Sequence, residues 1–258
     1  MLYIVGPLLA AALAAAHSPS LALAATAVLG LAGTTVVATA PPSRQWAPAP
    51  RSPGDTPAQR LHSSGLVLLF VSLAGIGFAI GSLNVWAVAM AEAHGKDMLS
   101  GLLPAAFSTG SFLGGLLYGR RTWPGSASRQ LLLGAGAFLA GWLPLLALPG
   151  PYGATAAVVV PGAFLTIMVA SAYVTTDTLT PAGRTSEAYA WLILSIGVGQ
   201  AAGTALAGRL AGHPLASAAL PAAGAAFAVA VLLLARPRLS RCGNGTHRRL
   251  RPTRCART

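Results

Sequence analysis

The sequence predicts an all-α fold, a polytopic bundle of about eight transmembrane helices. Three observations predict it. Of 258 residues, 54% are apolar, only 9% are charged, and the mean hydropathy is +0.65, whereas a soluble domain of this size needs far more charge to cover its surface. The apolar residues gather in runs of about 20, the length at which a helix crosses a hydrocarbon layer of about 30 Å. These Ala-, Leu- and Gly-rich runs lack the alternation of barrel strands, and lipid admits only helices or closed barrels.

The elements follow in chain order. The first run, Leu2–Ala16, is ended by His17-Ser18-Pro19-Ser20. A secretory signal would open with a positive segment, which Met1-Leu2-Tyr3 lacks, and Gly6-Pro7 interrupts the apolar stretch. The run therefore reads as a span. As helix it measures only about 22 Å, as though its beginning had been cut away. The second run, Leu21–Ala40, stops at Pro41-Pro42. Residues 41–64, rich in Pro, Ser and Arg, read as an extended linker.

Six further runs occupy residues 65–235. They are Gly65–Ala91, Leu99–Tyr118, Leu131–Leu148, Gly153–Leu179, Glu187–Ala207 and Leu215–Ala235. From Arg236 the chain is basic and without periodicity, and residues 236–258 read as a disordered tail. Cys242 and Cys255 in that tail have no histidine or acid cluster beside them and read as inert thiols. No metal or cofactor is expected.

The net charge of +12 does not point to nucleic acid, because the positive residues sit between and after the apolar runs. The linker, the loop with Arg120, Arg121 and Arg129, Arg184 and the tail together hold fifteen of the seventeen Lys and Arg residues; Lys96 and Arg209 fall in the alternate loops. Positive loops stay inside, so the linker and both termini are expected in the cytoplasm, and the protein in the inner (plasma) membrane.

Two spans, a Pro/Arg-rich linker and six spans form a pattern that resembles the later part of a major facilitator superfamily transporter. "VGPLLAAAL" looks like that family's fifth-helix antiporter motif, with Gly6 and Pro7 in place. "GGLLYGRRTWPG" resembles its signature loop: Gly115, Leu117, Arg120 and Arg121 fit, but Gly119 stands where an aspartate is expected. The resemblance implies that residues 1–40 correspond to the fifth and sixth helices and residues 65–235 to a complete second six-helix lobe. It also implies a solute cavity between two lobes and a missing N-terminal half.

Charge and amides within lipid are costly and usually functional. None of the five acids lies at the centre of a span. Thr166, Tyr173 and Asp177 share one helical face at i, i+7 and i+11. That face either contacts solute or, through Asp177 with Arg184 or Arg121, holds an inner gate; local pairing of Asp177 with Arg184 is the plainer alternative. Asn84 either contacts solute or bonds a neighbouring helix, and Gln200 stands beside it as a polar cavity candidate. Trp86 is a cavity candidate or an interface anchor. Gly199-x-x-x-Gly203, Gly208-x-x-x-Gly212, Gly77-x-x-x-Gly81 and Gly110-x-x-x-Gly114 carry the spacing that brings helices into close contact.

The expected activity is carriage of a small solute by alternating access. Proton coupling and efflux are implied by the resemblance. A remnant or half-transporter needing a partner is the alternative. An intramembrane enzyme is disfavoured, since the spans contain no cysteine, none of the five histidines lies mid-span, and H-E-x-x-H is absent.

Overall fold

The computed structural model describes residues 19–41, 64–120, 123, 125–180 and 183–248, and these form helices without any strand. The expected span Leu2–Ala16 with Gly6 and Pro7, the linker from residue 42 and Arg121 lie outside the described residues. Helix α1 (Pro19–Thr39) precedes α2 (Ser64–His94), α3 (Leu99–Gly119), α4 (Ala127–Trp142), α5 (Pro151–Leu179), α6 (Thr185–Arg209) and α7 (Pro214–Arg248). Among the described residues six helices, α2 to α7, are long and apolar enough to cross a membrane. Of the two further spans expected, Leu2–Ala16 lies outside the described residues, and Leu21–Ala40 falls in α1, whose apolar stretch is shorter, Ala27–Thr39. α1 packs against none of the other described helices.

Local chemistry sets the boundaries. α2 ends at Gly95, whose φ of +60° suits a residue without Cβ. Lys96 N–H then reaches back to the Ala91 carbonyl at 3.0 Å, the crossing bond of a Schellman cap. The expected span Leu131–Leu148 is one α-helix only to Trp142, and Leu143–Ala147 continues as a 3₁₀ turn. Pro144 has no N–H to give to Ala140, so the last turn tightens instead. α6 places Glu187 in its first turn and Arg209 in its last, charges that complement the helix dipole.

One boundary differs strongly from expectation. α7 continues through Pro237 to Arg248, so the first part of the expected disordered tail is helix. The segment contains Pro237, Gly243 and Gly245, poor helix formers, and what favours helix there is continuation from residues 214–235, which carries no new nucleation cost.

Parallel helices pair within the bundle. α2 lies along α6 and α3 along α5, in the most extensive contacts of the structure, while α7 packs antiparallel on α2 and α4 on α5. Glycines make the first two seams. A Cβ at Gly77 or Gly81 would stand 2.0–2.1 Å from the carbonyl oxygens of Ile196 and Gln200. Conversely, a Cβ at Gly199 or Gly203 would stand 1.9–2.2 Å from those of Ala74 and Phe78. On the other seam a Cβ at Gly110 or Gly114 would stand 2.1 Å from the carbonyl oxygen of Val159 or Ala163, and one at Gly162 would stand 2.1 Å from that of Phe107. With lipid as apolar as leucine, such backbone approach supplies the dispersion contact that hydrophobic exclusion cannot. Gly208 and Gly212 face open space, so their shared spacing builds no seam here.

The core beside these seams is aromatic. Trp142 is fully buried between Phe107, stacked at 5.7 Å, and Phe138, edge-on at 5.6 Å. The Phe107–Trp142 stack is a side-chain contact from α3 to α4, whose backbone packs instead on α5 and α7.

Candidate functional site

An open groove of about 800 Å³ runs between the parallel helices α2 and α6. Val67, Phe70, Val71 and Ala74 form its α2 wall, at i, i+3, i+4 and i+7. Trp191, Leu194, Ser195 and Val198 form the α6 wall at the same spacing. Arg184 and Glu187 stand at the end where α6 begins. The groove is therefore graded, with an ion pair at one end and aliphatic walls toward the glycine seam at the other.

At that end Arg184 donates to Oε2 of Glu187 from Nε at 2.8 Å and from Nη2 at 2.5 Å. This corrects the expected pairing of Arg184 with Asp177. Glu187, three residues along the same helix, is the nearer acid and sits favourably in the first turn. Asp177 instead accepts the phenolic hydrogen of Tyr189 at 2.6 Å. The Tyr189 ring meets Tyr173 edge-on, 4.9 Å between centroids. Tyr189 thus joins α6 to α5 twice, where these two helices otherwise touch little.

The other sequence candidates are spread through the bundle and do not line this groove. Thr166 is committed to the α3–α5 seam: its hydroxyl donates to the Ser111 carbonyl at 2.6 Å and lies 2.6 Å from the Ser111 hydroxyl. A hydroxyl in apolar surroundings seeks such a partner. Trp86 is 3% exposed within the packed core, so it is not an interface anchor in this structure. Asn84 and Gln200 are half-buried, and among the described residues neither side-chain amide has a hydrogen-bond partner. The Gln200 backbone lies against Gly81, and Thr204 donates to the Gly81 carbonyl at 3.3 Å.

The α3–α4 loop holds itself together without the acid absent at Gly119. Tyr118 donates its hydroxyl to Gln130 Oε1, and Gln130 Nε2 donates to the Trp123 carbonyl at 3.2 Å. Trp123 closes the circuit by donating to the Tyr118 carbonyl at 3.2 Å and stacking on its ring at 5.8 Å. Arg120 is exposed beside this clasp.

Sequence reasoning missed Phe70, Trp191, Ser195 and Glu187. The matching spacing on two helices was the available signal, but apolar residues at that spacing also face lipid. Among the described residues no group of three His, Cys, Asp or Glu side chains gathers to hold a metal. The family model described as Major Facilitator Superfamily matches residues 1–204. No curated protein and no solved structure matches the chain.

Proposed function

The chain belongs to the Major Facilitator Superfamily, and from that membership we propose that it is a proton-coupled carrier exporting a small solute by alternating access. It is a multi-pass membrane protein of a transporter family. The observation that carries the solute reading is the α2–α6 groove, with apolar walls and a charged pair at one end. Asn84 and Gln200 are the proposed polar contacts deeper in the lobe, because half-buried amides without partners are available to a solute. We assign no enzymatic step to the chain.

The charge distribution supports an inner-membrane location with both termini in the cytoplasm. The Arg184 end of the groove then faces the cytoplasm, and the Tyr189–Asp177 bond is the proposed inner gate. Two helices wall only one side of a path, so a second lobe supplies the other; this keeps the half-transporter as a second reading.

Everted vesicles from cells expressing the chain test the proposal. Accumulation of some member of a solute panel, abolished by a protonophore, is the expected result. Accumulation no greater than in vesicles lacking the chain, across the panel, would contradict it. Should accumulation appear only on co-expression of a second lobe, the half-transporter reading holds.

A further inference from the structure

The α3–α4 loop carries charge that the chain does not balance. Residues 98–176 contain Arg120, Arg121 and Arg129 and no acid. Arg120 and Arg129 are both exposed, and among the described residues neither guanidinium has a hydrogen-bond or ion-pair partner. Arg129 is the third residue of α4, whose first turn holds no acid. A cation there stands at the positive end of the helix dipole, so it gains nothing from its own helix. An anion drawn to this place meets two free guanidinium groups and that dipole end together.

The loop is held in one shape. Tyr118 bonds Gln130, which ties the residue two before Arg120 to the residue one after Arg129. The Arg129 side chain lies back over the loop, with Cδ 3.6 Å from where a Cβ on Gly125 would stand. Its depth is set by leucines. Leu117, 68% exposed, precedes Arg120 by about 4.5 Å of helix, and Leu133, 63% exposed, follows Arg129 by about 6 Å. Exposed leucines on spanning helices belong in hydrocarbon, so the two arginines stand at the level of the headgroups. Trp123, half exposed and stacked on Tyr118, is an aromatic suited to the same level.

We propose that Arg120 and Arg129 bind the phosphate of an anionic phospholipid in the leaflet at this end of the bundle. Guanidinium forks match phosphate oxygens, and the acyl chains lie beside Leu117 and Leu133. A lipid is favoured over a soluble phosphate because the bilayer holds it at this depth. The site stands on the membrane-spanning fold and needs no solute path.

The test uses the full chain in phosphatidylcholine nanodiscs containing phosphatidylglycerol or phosphatidylcholine with a nitroxide high on one acyl chain. Quenching of Trp123 fluorescence, isolated by difference from Trp123→Phe, reports lipid at the loop. Labelled phosphatidylglycerol is expected to quench at a mole fraction about tenfold lower than labelled phosphatidylcholine, since each basic residue at an anionic surface contributes up to about fivefold. Replacing both Arg120 and Arg129 by Gln is expected to bring the preference below about twofold, with helix content unchanged by circular dichroism. Arg238→Gln with Arg241→Gln removes as much charge from the end of α7 and should leave it intact. Gln130→Leu keeps both arginines but frees the loop, and should weaken the preference several-fold.

Equal quenching by the two lipids overturns the proposal. An equal loss in the α7 variant means general surface attraction only and overturns it too, as does a full preference in Gln130→Leu. Sodium phosphate that displaces the lipid more than chloride of matched ionic strength assigns the arginines to a soluble anion instead. No displacement beyond the chloride control is the expected result.

Discussion

Tyr189 donates its phenolic hydrogen to Asp177 at 2.6 Å, a bond between the first turns of α6 and the last turns of α5. These helices belong to different parallel pairs, α2 with α6 and α3 with α5, each zipped by glycines. The bond therefore ties one pair to the other at the Arg184 end of the groove.

Tyr189→Phe keeps the ring contact with Tyr173 and removes only the hydroxyl. The bond lies where water reaches it, so solvent screens its contribution to stability. The expected outcome is faster amide exchange in the first turns of α6, with exchange along the glycine seam unchanged. Asp177→Asn retains an acceptor oxygen and should have a smaller effect than Asp177→Ala. Equal exchange in all three variants would remove the tie.

The glycine seams set up a position-dependent contrast. Gly199→Ala forces a Cβ to within 1.9 Å of the Ala74 carbonyl, and backbone cannot swing aside as a side chain can. Overpacking of this kind costs about 1–3 kcal/mol. Gly208→Ala meets open space and gains helix propensity. Denaturant titration in mixed micelles should show loss of stability for the first and none for the second.

Most of the fold was legible because lipid makes a simple demand. Every span must be a helix, and its length is fixed by the bilayer, so Leu99–Tyr118 and Gly153–Leu179 fall within a few residues of the observed α3 and α5. The paired seams were half legible. Small-residue spacing at Gly77, Gly81, Gly199 and Gly203 is visible in sequence, but which helix meets which is not. The same spacing at Gly208 and Gly212 touches nothing. The groove was hidden for a related reason: Trp191 and Val198 have the character of lipid-facing residues, and only the position of α2 beside them makes a wall. Arg184 was singled out for its charge, but its partner turned out to be three residues away rather than across a loop.

Trp142 offers a test of the core. Its ring is fully buried, and among the described residues its indole N–H has no acceptor. A buried unpaired donor costs about 1–3 kcal/mol. Trp142→Phe removes the donor and keeps an aromatic ring beside Phe107 and Phe138, so it should leave stability unchanged or raise it. Trp142→Ala should lower it by about 3–5 kcal/mol. A large loss in the Phe variant would show that the N–H has a partner, such as a buried water.

The Tyr118–Gln130–Trp123 clasp makes a separate prediction. Gln130→Leu breaks its bonds to both Tyr118 and Trp123. Protease cleavage between residues 119 and 126 should then quicken several-fold, while cleavage in the α5–α6 loop should not. Arg120→Gln, which touches none of these bonds, should leave the rate as it was.

The central claim is that the α2–α6 groove is a solute path open to the cytoplasm, and Ser195→Cys tests it most directly. With Cys242 and Cys255 replaced by serine, the introduced thiol is offered a membrane-impermeant maleimide on each side of the membrane, with and without a proton gradient. A thiol must ionise to react, and it ionises only where water reaches it. The account expects labelling from the cytoplasmic side, at a rate that the gradient changes. An unreactive thiol on both sides, under both conditions, would place Ser195 in lipid and contradict the account.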